Sequence, residues 1–285
     1  AAPGRHRALR PAPHDTAART AARTAADRTM DPMYAAAGFG VGLMVGLTGV
    51  GGGALMTPLL VLAFGQAPAV AVGTDLWFAA ITKIAGGSLH HGRGNVDAQV
   101  LRRLCLGSLP AAVLTLAWLH LSGAHQVKNG LILNALGAMI VVTALAMLLR
   151  KQVQAIGRGL RINAAERFKQ WQPALTVLAG ATLGVLVTLT SVGAGALGAV
   201  MLSYLYPLRM TPRRLVATDL VHAIPLTIVA GSGHLLMGNV DGGLLLTLLL
   251  GSIPGVLLGA HFSDRAPEGI IRPAELRDRG IFATR

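Results

Sequence analysis

The sequence predicts an all-α, polytopic membrane protein built as two homologous repeats of about four transmembrane helices each, with Gly-rich helix breaks. Three observations carry that expectation: an apolar composition, apolar runs of spanning length, and internal duplication. Hydrophobic residues make up 53% of the chain and charged residues 13%, with a mean hydropathy of +0.57. One soluble core could not bury so much apolar surface, so a bilayer is the natural solvent. The runs 100–121, interrupted only by Arg102 and Arg103, and 130–149 are long enough to cross. About 20 residues of helix span a hydrocarbon layer about 30 Å thick.

Residues 1–29 are rich in Ala, Arg and Thr and lack an apolar run, so they read as a disordered basic segment and not a secretory signal. Met30 and Met33 are candidate start residues. The first transmembrane repeat is expected over 30–149, with apolar segments at 33–48, 54–65, 68–89, 99–121 and 126–149. The short second segment reads as a re-entrant half-helix and the other four as crossings. A polar basic loop is expected over 150–172. The second repeat, 173–263, has apolar segments at 173–189, 196–206, 215–237 and 244–262, and a polar tail follows over 264–285. The partner of segment 126–149 would fall near 270–293, where GIIRPAELRDRGIFATR is too polar to span. The second repeat is therefore expected to lack its last helix, through a truncation or frameshift after about Pro273 or in a naturally shorter protein.

The duplication is residue by residue. Thr74-Asp75 matches Thr218-Asp219, His90 matches His234, Asn95-Val96-Asp97 matches Asn239-Val240-Asp241, and Gly107-Ser108 with Pro110 matches Gly251-Ser252 with Pro254, all at an offset of 144. Upstream the offset is 142, pairing Gly42 with Gly184, Thr48 with Thr190, and the run Val50 to Leu55 with Val192 to Leu197. Between Pro32 and Ser263 the acidic residues are Asp75, Asp97, Glu166, Asp219 and Asp241, and all but Glu166 fall into repeat-matched pairs. Internal repeats that share a polar core are a signature of secondary transporters, whose substrate sites form between the repeats.

The formal charge of +13 is concentrated in tails and loops. Six arginines lie in residues 1–29, Arg150, Lys151, Arg158, Arg161, Arg167 and Lys169 lie in or beside the central polar stretch, and five arginines follow Asp264. This is a positive-inside distribution and argues against a nucleic-acid partner. On that bias the N-terminus, the Arg93/Arg102/Arg103 loop and the 150–172 stretch are expected in the cytoplasm. The loop with Arg209, Arg213 and Arg214 then falls outside, and the repeats come out parallel. Cys105 is the sole cysteine, so neither an intrachain disulfide nor a Cys-based metal site is expected.

Several residues could carry chemistry. The glycine clusters around Gly51, Gly52 and Gly53, and around Gly193 and Gly195, weaken a helix and open backbone N–H groups that hydrocarbon cannot satisfy. A helix restarting after such a break aims its positive dipole end at a cavity, which suits an anion. Close helix packing is the alternative. Asp75 and Asp219 are ionisable residues within apolar segments, by default functional. With Thr74 and Thr218 they are expected either to couple and gate transport or to act as helix N-caps. Lys83 has Thr227 at the matching position and reads as a paired buried cation or a snorkelling side chain. His90 and His234 end their helices, where a cation complements the dipole and a proton relay is the second reading. No metal-ligand spacing accompanies them. His222 reads as a core histidine, and the Asn-Val-Asp pair as structural turns.

Taken together, GVGGGALMTP, AVGTDLWFAAITK, GNVD and LGSLP resemble the sulfite exporter TauE/SafE family of membrane transporters over about 33–263, across both repeats. The resemblance implies a predominantly eight-helix permease of the cytoplasmic membrane, with sulfite, sulfoacetate, other organosulfonates or related small anions as substrates. The expected partners are the bilayer and the anion, with no cofactor. On this reading the substrate sits between the glycine breaks, held by N–H groups near Gly51 to Gly53 and Gly193 to Gly195, with Thr48, Thr190 and Lys83 assisting. One repeat would move against the other to alternate access. The alternatives are a passive anion channel, an inactive truncated transporter and a membrane-embedded enzyme. The enzyme has against it the lack of a nucleophile–base or HExxH arrangement.

Overall fold

The computed structural model describes residues 32–48, 53–90, 96–122, 125–163 and 165–265, which form ten helices and no strand. In chain order they are α1 (Pro32–Thr48), α2 (Gly53–Leu62), α3 (Pro68–His90), α4 (Ala98–Leu121), α5 (His125–Leu148), α6 (Arg150–Asn163), α7 (Ala165–Thr190), α8 (Ala196–Leu205), α9 (Pro212–Leu236) and α10 (Gly242–Arg265). Five of them, α4, α5, α7, α9 and α10, are long and apolar enough to cross a membrane. Their outer faces carry exposed Leu114, Trp118, Val141, Leu145, Leu178 and Leu250, an apolar belt suited to lipid and not to water. Helices α2 and α8 have 10 residues each, about 15 Å of rise, half of what a crossing needs.

Two seams bring backbones closest. Gly38, Gly42 and Gly46 of α1 lie on the main chain of Leu248, Ser252 and Val256 of α10, which answers with Gly251, Gly255 and Gly259 against α1. A Cβ on any of the six would overlap the facing backbone. Gly107, Gly180 and Gly184 do the same between α4 and α7, with Gly184 on the main chain of Ser108. Lipid tails are as apolar as leucine, so helices associate there through van der Waals contact at small-residue faces. Contacts advance in the same direction along both partners of each seam, so both pairs are parallel.

The equivalent helices α3 and α9 instead run antiparallel. Gly73 of α3 lies on Asn239 just beyond α9, and Gly231 of α9 lies on Trp77 of α3. The halves of the chain are thus inverted, contrary to the parallel arrangement expected from loop charge. The loop charges are also regrouped. Arg209 pairs with Asp97 at 2.7 Å and bonds Gln99, and Arg103 donates to the Tyr206 hydroxyl. The Arg102/Arg103 and Arg209/Arg213/Arg214 regions therefore share one face of the bundle. The polar stretch 150–172, expected as a loop, is helical. It forms α6, whose Gly157 packs on the backbone of Tyr204, and the first turns of α7. The tail after Arg265 and residues 1–31 lie outside the described residues.

Each seam joins one helix from each half, so the packing units differ from the sequence repeats. One buried cluster unites Val41 and Val45 of α1, Met56 and Leu60 of α2, Phe78 of α3, and Leu248 and Val256 of α10. A second unites Val100 and Leu104 of α4, Ala179 of α7, Leu202 of α8 and Leu215 of α9. A third, with Leu76 of α3, Ala112 of α4, and Ala223 and Leu226 of α9, lies where these two bodies meet. One clamp holds each body together. The Asp241 N–H donates to Thr74 Oγ1 at 3.1 Å, and the Asp97 N–H donates to Thr218 Oγ1 at 3.0 Å.

The shared basic face falls in the cytoplasm by the positive-inside bias. In a Cys105→Ser background, single cysteines replacing Arg102 and Arg213 are expected to react with an impermeant maleimide from the same, cytoplasmic, side of the membrane. Labelling from opposite sides would contradict the fold.

Candidate functional site

Helix α7 stops at Thr190, and the chain turns through Ser191 to Gly195 before α8 begins. Gly193 and Gly195 have φ of 119° and 130°, a region that residues with a Cβ rarely adopt. The break is stitched internally. Thr190 Oγ1 donates to the Leu186 carbonyl at 2.6 Å and accepts the Val192 N–H at 3.2 Å. The N–H groups of Gly198 and Ala199 reach back to the carbonyls of Gly193 and Gly195, both at 3.1 Å. Thr190, expected to touch substrate, is thus committed to holding the turn. In the first half, Gly51, Gly52 and the Thr48 side chain lie outside the described residues, and Gly53 opens α2.

Asp75 and Asp219 occupy the same place in α3 and α9, seven residues after Pro68 and Pro212. The N-cap reading of the Thr-Asp pairs is therefore corrected. Both helices begin two turns earlier, and the caps are Thr211 for α9, Asp97 for α4 and Asp241 for α10. Each buried carboxylate leans on a half-helix. Asp75 Oδ2 accepts a hydrogen bond from Thr57 in α2. Asp219 lies on Gly198 in the first turn of α8, where a Cβ would strike its Oδ1. Asp219 is thus beside the positive end of the α8 dipole, where an anion was expected. Among the described residues the Oδ1 atoms of both aspartates find no hydrogen-bond partner.

Lys83 stands eight residues beyond Asp75 on α3, about 12 Å along the axis. It is 2% exposed, which excludes snorkelling, and its Nζ donates to the Ala194 carbonyl at 3.2 Å. A lysine of one body thereby satisfies a carbonyl in the helix break of the other. Its charge acts on both aspartates and on His222. The buried Ser191 hydroxyl lies close enough to Asp75 to act on its carboxylate. The result is a buried cation in the same interior as two buried carboxylates, bonded to a broken helix at the junction of two packing units.

The other expected residues are distributed differently. Thr74 and Thr218 form the clamps already described, away from the break. His234 Nε2 faces the Thr188 carbonyl at 2.9 Å and ties α9 to α7. The side chain of His90 lies outside the described residues. No group of three metal-ligating side chains occurs among the described residues. The sequence reading passed over Thr57, Ser191 and Gly198, whose roles depend on contacts across the fold. His222, expected as a core histidine, is buried and joined to Ser108, expected only as part of a repeated motif, at 2.8 Å from Nε2 to Oγ. A departure from the repeat was the available signal, since Phe78 matches His222.

Residues 34–275 match the family described as sulfite exporter TauE/SafE. YjnA of Bacillus subtilis (strain 168), described as a probable membrane transporter protein, is 41% identical over 236 residues, which cover 80% of this chain and 88% of that protein. YdhB of the same organism, described in the same words, is 26% identical over 240 residues, covering 83% and 91%. No solved structure matches.

Removing the cation should show whether the three charges act as a unit. Lys83→Met is expected to destabilise the purified protein by about 3–5 kcal/mol, the usual cost of stripping one partner from a buried pair. Adding Asp219→Asn to Lys83→Met should restore part of the melting temperature through a coupling of about 0.5–3 kcal/mol. A Lys83→Met protein that melts like the unaltered one would show that the charges are independent.

Proposed function

This chain belongs to the sulfite exporter TauE/SafE family, and from that premise we propose that it is a permease moving a small oxyanion, sulfite or an organosulfonate, across the cytoplasmic membrane. The descriptions of the relatives say membrane transporter and no more, so the substrate class rests on chemistry. The observation that supports it is Lys83, buried in α3, holding a carbonyl of the α7–α8 break in the same interior as two carboxylates. A lysine so placed is costly to insert and needs counter-charge. An incoming oxyanion can take over the Nζ hydrogen bond that the Ala194 carbonyl accepts.

Charge balance gives the coupling. With Lys83 and both aspartates ionised the cluster is net negative and repels an anion. A proton on either carboxylate removes that repulsion, so substrate and proton enter together. The moving parts are the two packing bodies, α1–α2–α3–α10 and α4–α7–α8–α9, because the seams tie each repeat to the other. This replaces a repeat-against-repeat motion. An anion between the bodies is exposed to one side or the other as the α3/α9 contact rocks.

Radiolabelled sulfite should accumulate in inside-out vesicles carrying the protein, saturably, above empty vesicles and in competition with thiosulfate or sulfoacetate. Asp75→Asn and Asp219→Asn should each remove the pH dependence of that uptake. Unsaturable flux would favour a passive anion channel, and no flux through correctly inserted protein would refute the permease.

A further inference from the structure

The two halves differ where the scaffold would allow them to be alike. Along α3 and α9 the matched residues include Thr74/Thr218, Asp75/Asp219 and His90/His234, yet Lys83 faces Thr227 in the alignment and Phe78 faces His222. The serines of the matching GSxP motifs register this difference. Ser108 bonds His222, whereas Ser252, in the body where Phe78 stands, has a buried hydroxyl with no partner. At these unmatched positions one body thus brings Lys83 to the interior and the other brings His222.

His222 is fully buried, and its Nδ1 has no hydrogen-bond partner among the described residues. It stands three residues beyond Asp219 on α9, a spacing that puts both on one helix face, and the Lys83 charge reaches both. A buried imidazole nitrogen without a partner carries a desolvation penalty unless a ligand completes it. We propose that His222 is a substrate-binding residue. Its Nδ1–H donates to an oxygen of the anion that Lys83 holds from the opposite body, and the Ser108 hydroxyl donates to Nε2 to fix that tautomer. The assignment rests on the permease reading and deepens it. A neutral imidazole donor adds a directional contact without a second positive charge, which suits a compact oxyanion with several acceptor oxygens. A ligand shared by Lys83 and His222 also bridges the two bodies, so occupancy bears directly on their closure.

The test exploits the geometry of the ring. Asn at position 222 puts an amide near the place of Nδ1, Gln reaches toward the place of Nε2, and Phe is the residue the other half carries. Sulfite uptake into inside-out vesicles is measured against concentration for the unaltered protein, His222→Asn, His222→Gln and His222→Phe, with melting of each purified protein as a check on folding. His222→Phe and His222→Gln are expected to raise the half-saturating sulfite concentration about 10- to 100-fold, the effect of one lost hydrogen bond to a charged group. His222→Asn should stay within a few-fold of the unaltered protein. Equal half-saturation in all four overturns the assignment, as does equal impairment of Asn, Gln and Phe, which would reduce His222 to packing. If the unaltered, inserted protein takes up no sulfite, the permease reading falls and the assignment with it. Normal uptake with unaffected variants removes the assignment alone.

Discussion

A helix that ends inside an apolar layer leaves backbone N–H and C=O groups that lipid cannot satisfy, and the centre of this molecule is arranged around that constraint. At the α7–α8 break the chain answers with what lies nearest. Thr190 takes the Val192 N–H, Gly193 and Gly195 supply the first carbonyls of α8, and Lys83 reaches across from α3 to the Ala194 carbonyl. That last contact brings a full positive charge to the break, and a buried lysine needs counter-charge. Asp219 and Asp75 supply it, each seated on the half-helix of its own repeat. Solving the backbone problem with a charged side chain concentrates charge at the one place where two packing units meet.

The glycine seams decide what those units are. Because α1 packs on α10 and α4 on α7 with main chains nearly touching, neither repeat can move as a body without tearing a seam. The Thr74–Asp241 and Thr218–Asp97 bonds lie within the units and not between them, reinforcing the same division. Between the units lie the apolar α3/α9 contact, with Gly231 on Trp77, and the Lys83–Ala194 bond. Main chains nearly touch along the seams inside each unit, whereas the junction between the units is the side-chain contact of α3 with α9 and one buried lysine–carbonyl bond, a division along which two bodies can rearrange.

Much of this was legible in the sequence because it is recorded twice. Apolar runs set the helices, and repeat-matched glycines and aspartates marked the breaks and the charged centre. The misreadings have a common physical origin, since local rules were applied where tertiary contacts decide. Thr-Asp has the composition of an N-cap, but Pro68 and Pro212 start the helices two turns earlier, so the threonine hydroxyls serve as acceptors for the opposite half. The polar composition of 150–163 concealed that a glycine, Gly157, lets α6 lie on the α8 terminus. Loop charges counted one at a time put Arg209 on the wrong face, because its pairing with Asp97 joins residues more than a hundred positions apart. The side-chain roles of Thr57, Ser191 and Ser108 were illegible for the same reason.

The asymmetry between the halves carries the remaining argument. A perfectly duplicated pair of inverted repeats would place identical groups on both sides of the centre, either two aspartates with no cation, if both halves carried the threonine of position 227, or two aspartates with two lysines, if both carried the lysine of position 83. Placing Lys83 on one side alone gives the centre a cation, and placing His222 on the other gives the opposing body a polar group in return. The clamps stay matched between the halves, as do the seam glycines Gly38/Gly180, Gly42/Gly184 and Gly107/Gly251, while Gly46, Gly255 and Gly259 have Thr188, Ala111 and Thr115 at the equivalent positions. The duplicated scaffold thereby keeps the aspartates and clamps of both halves alike while positions 78/222 and 83/227 diverge at its centre.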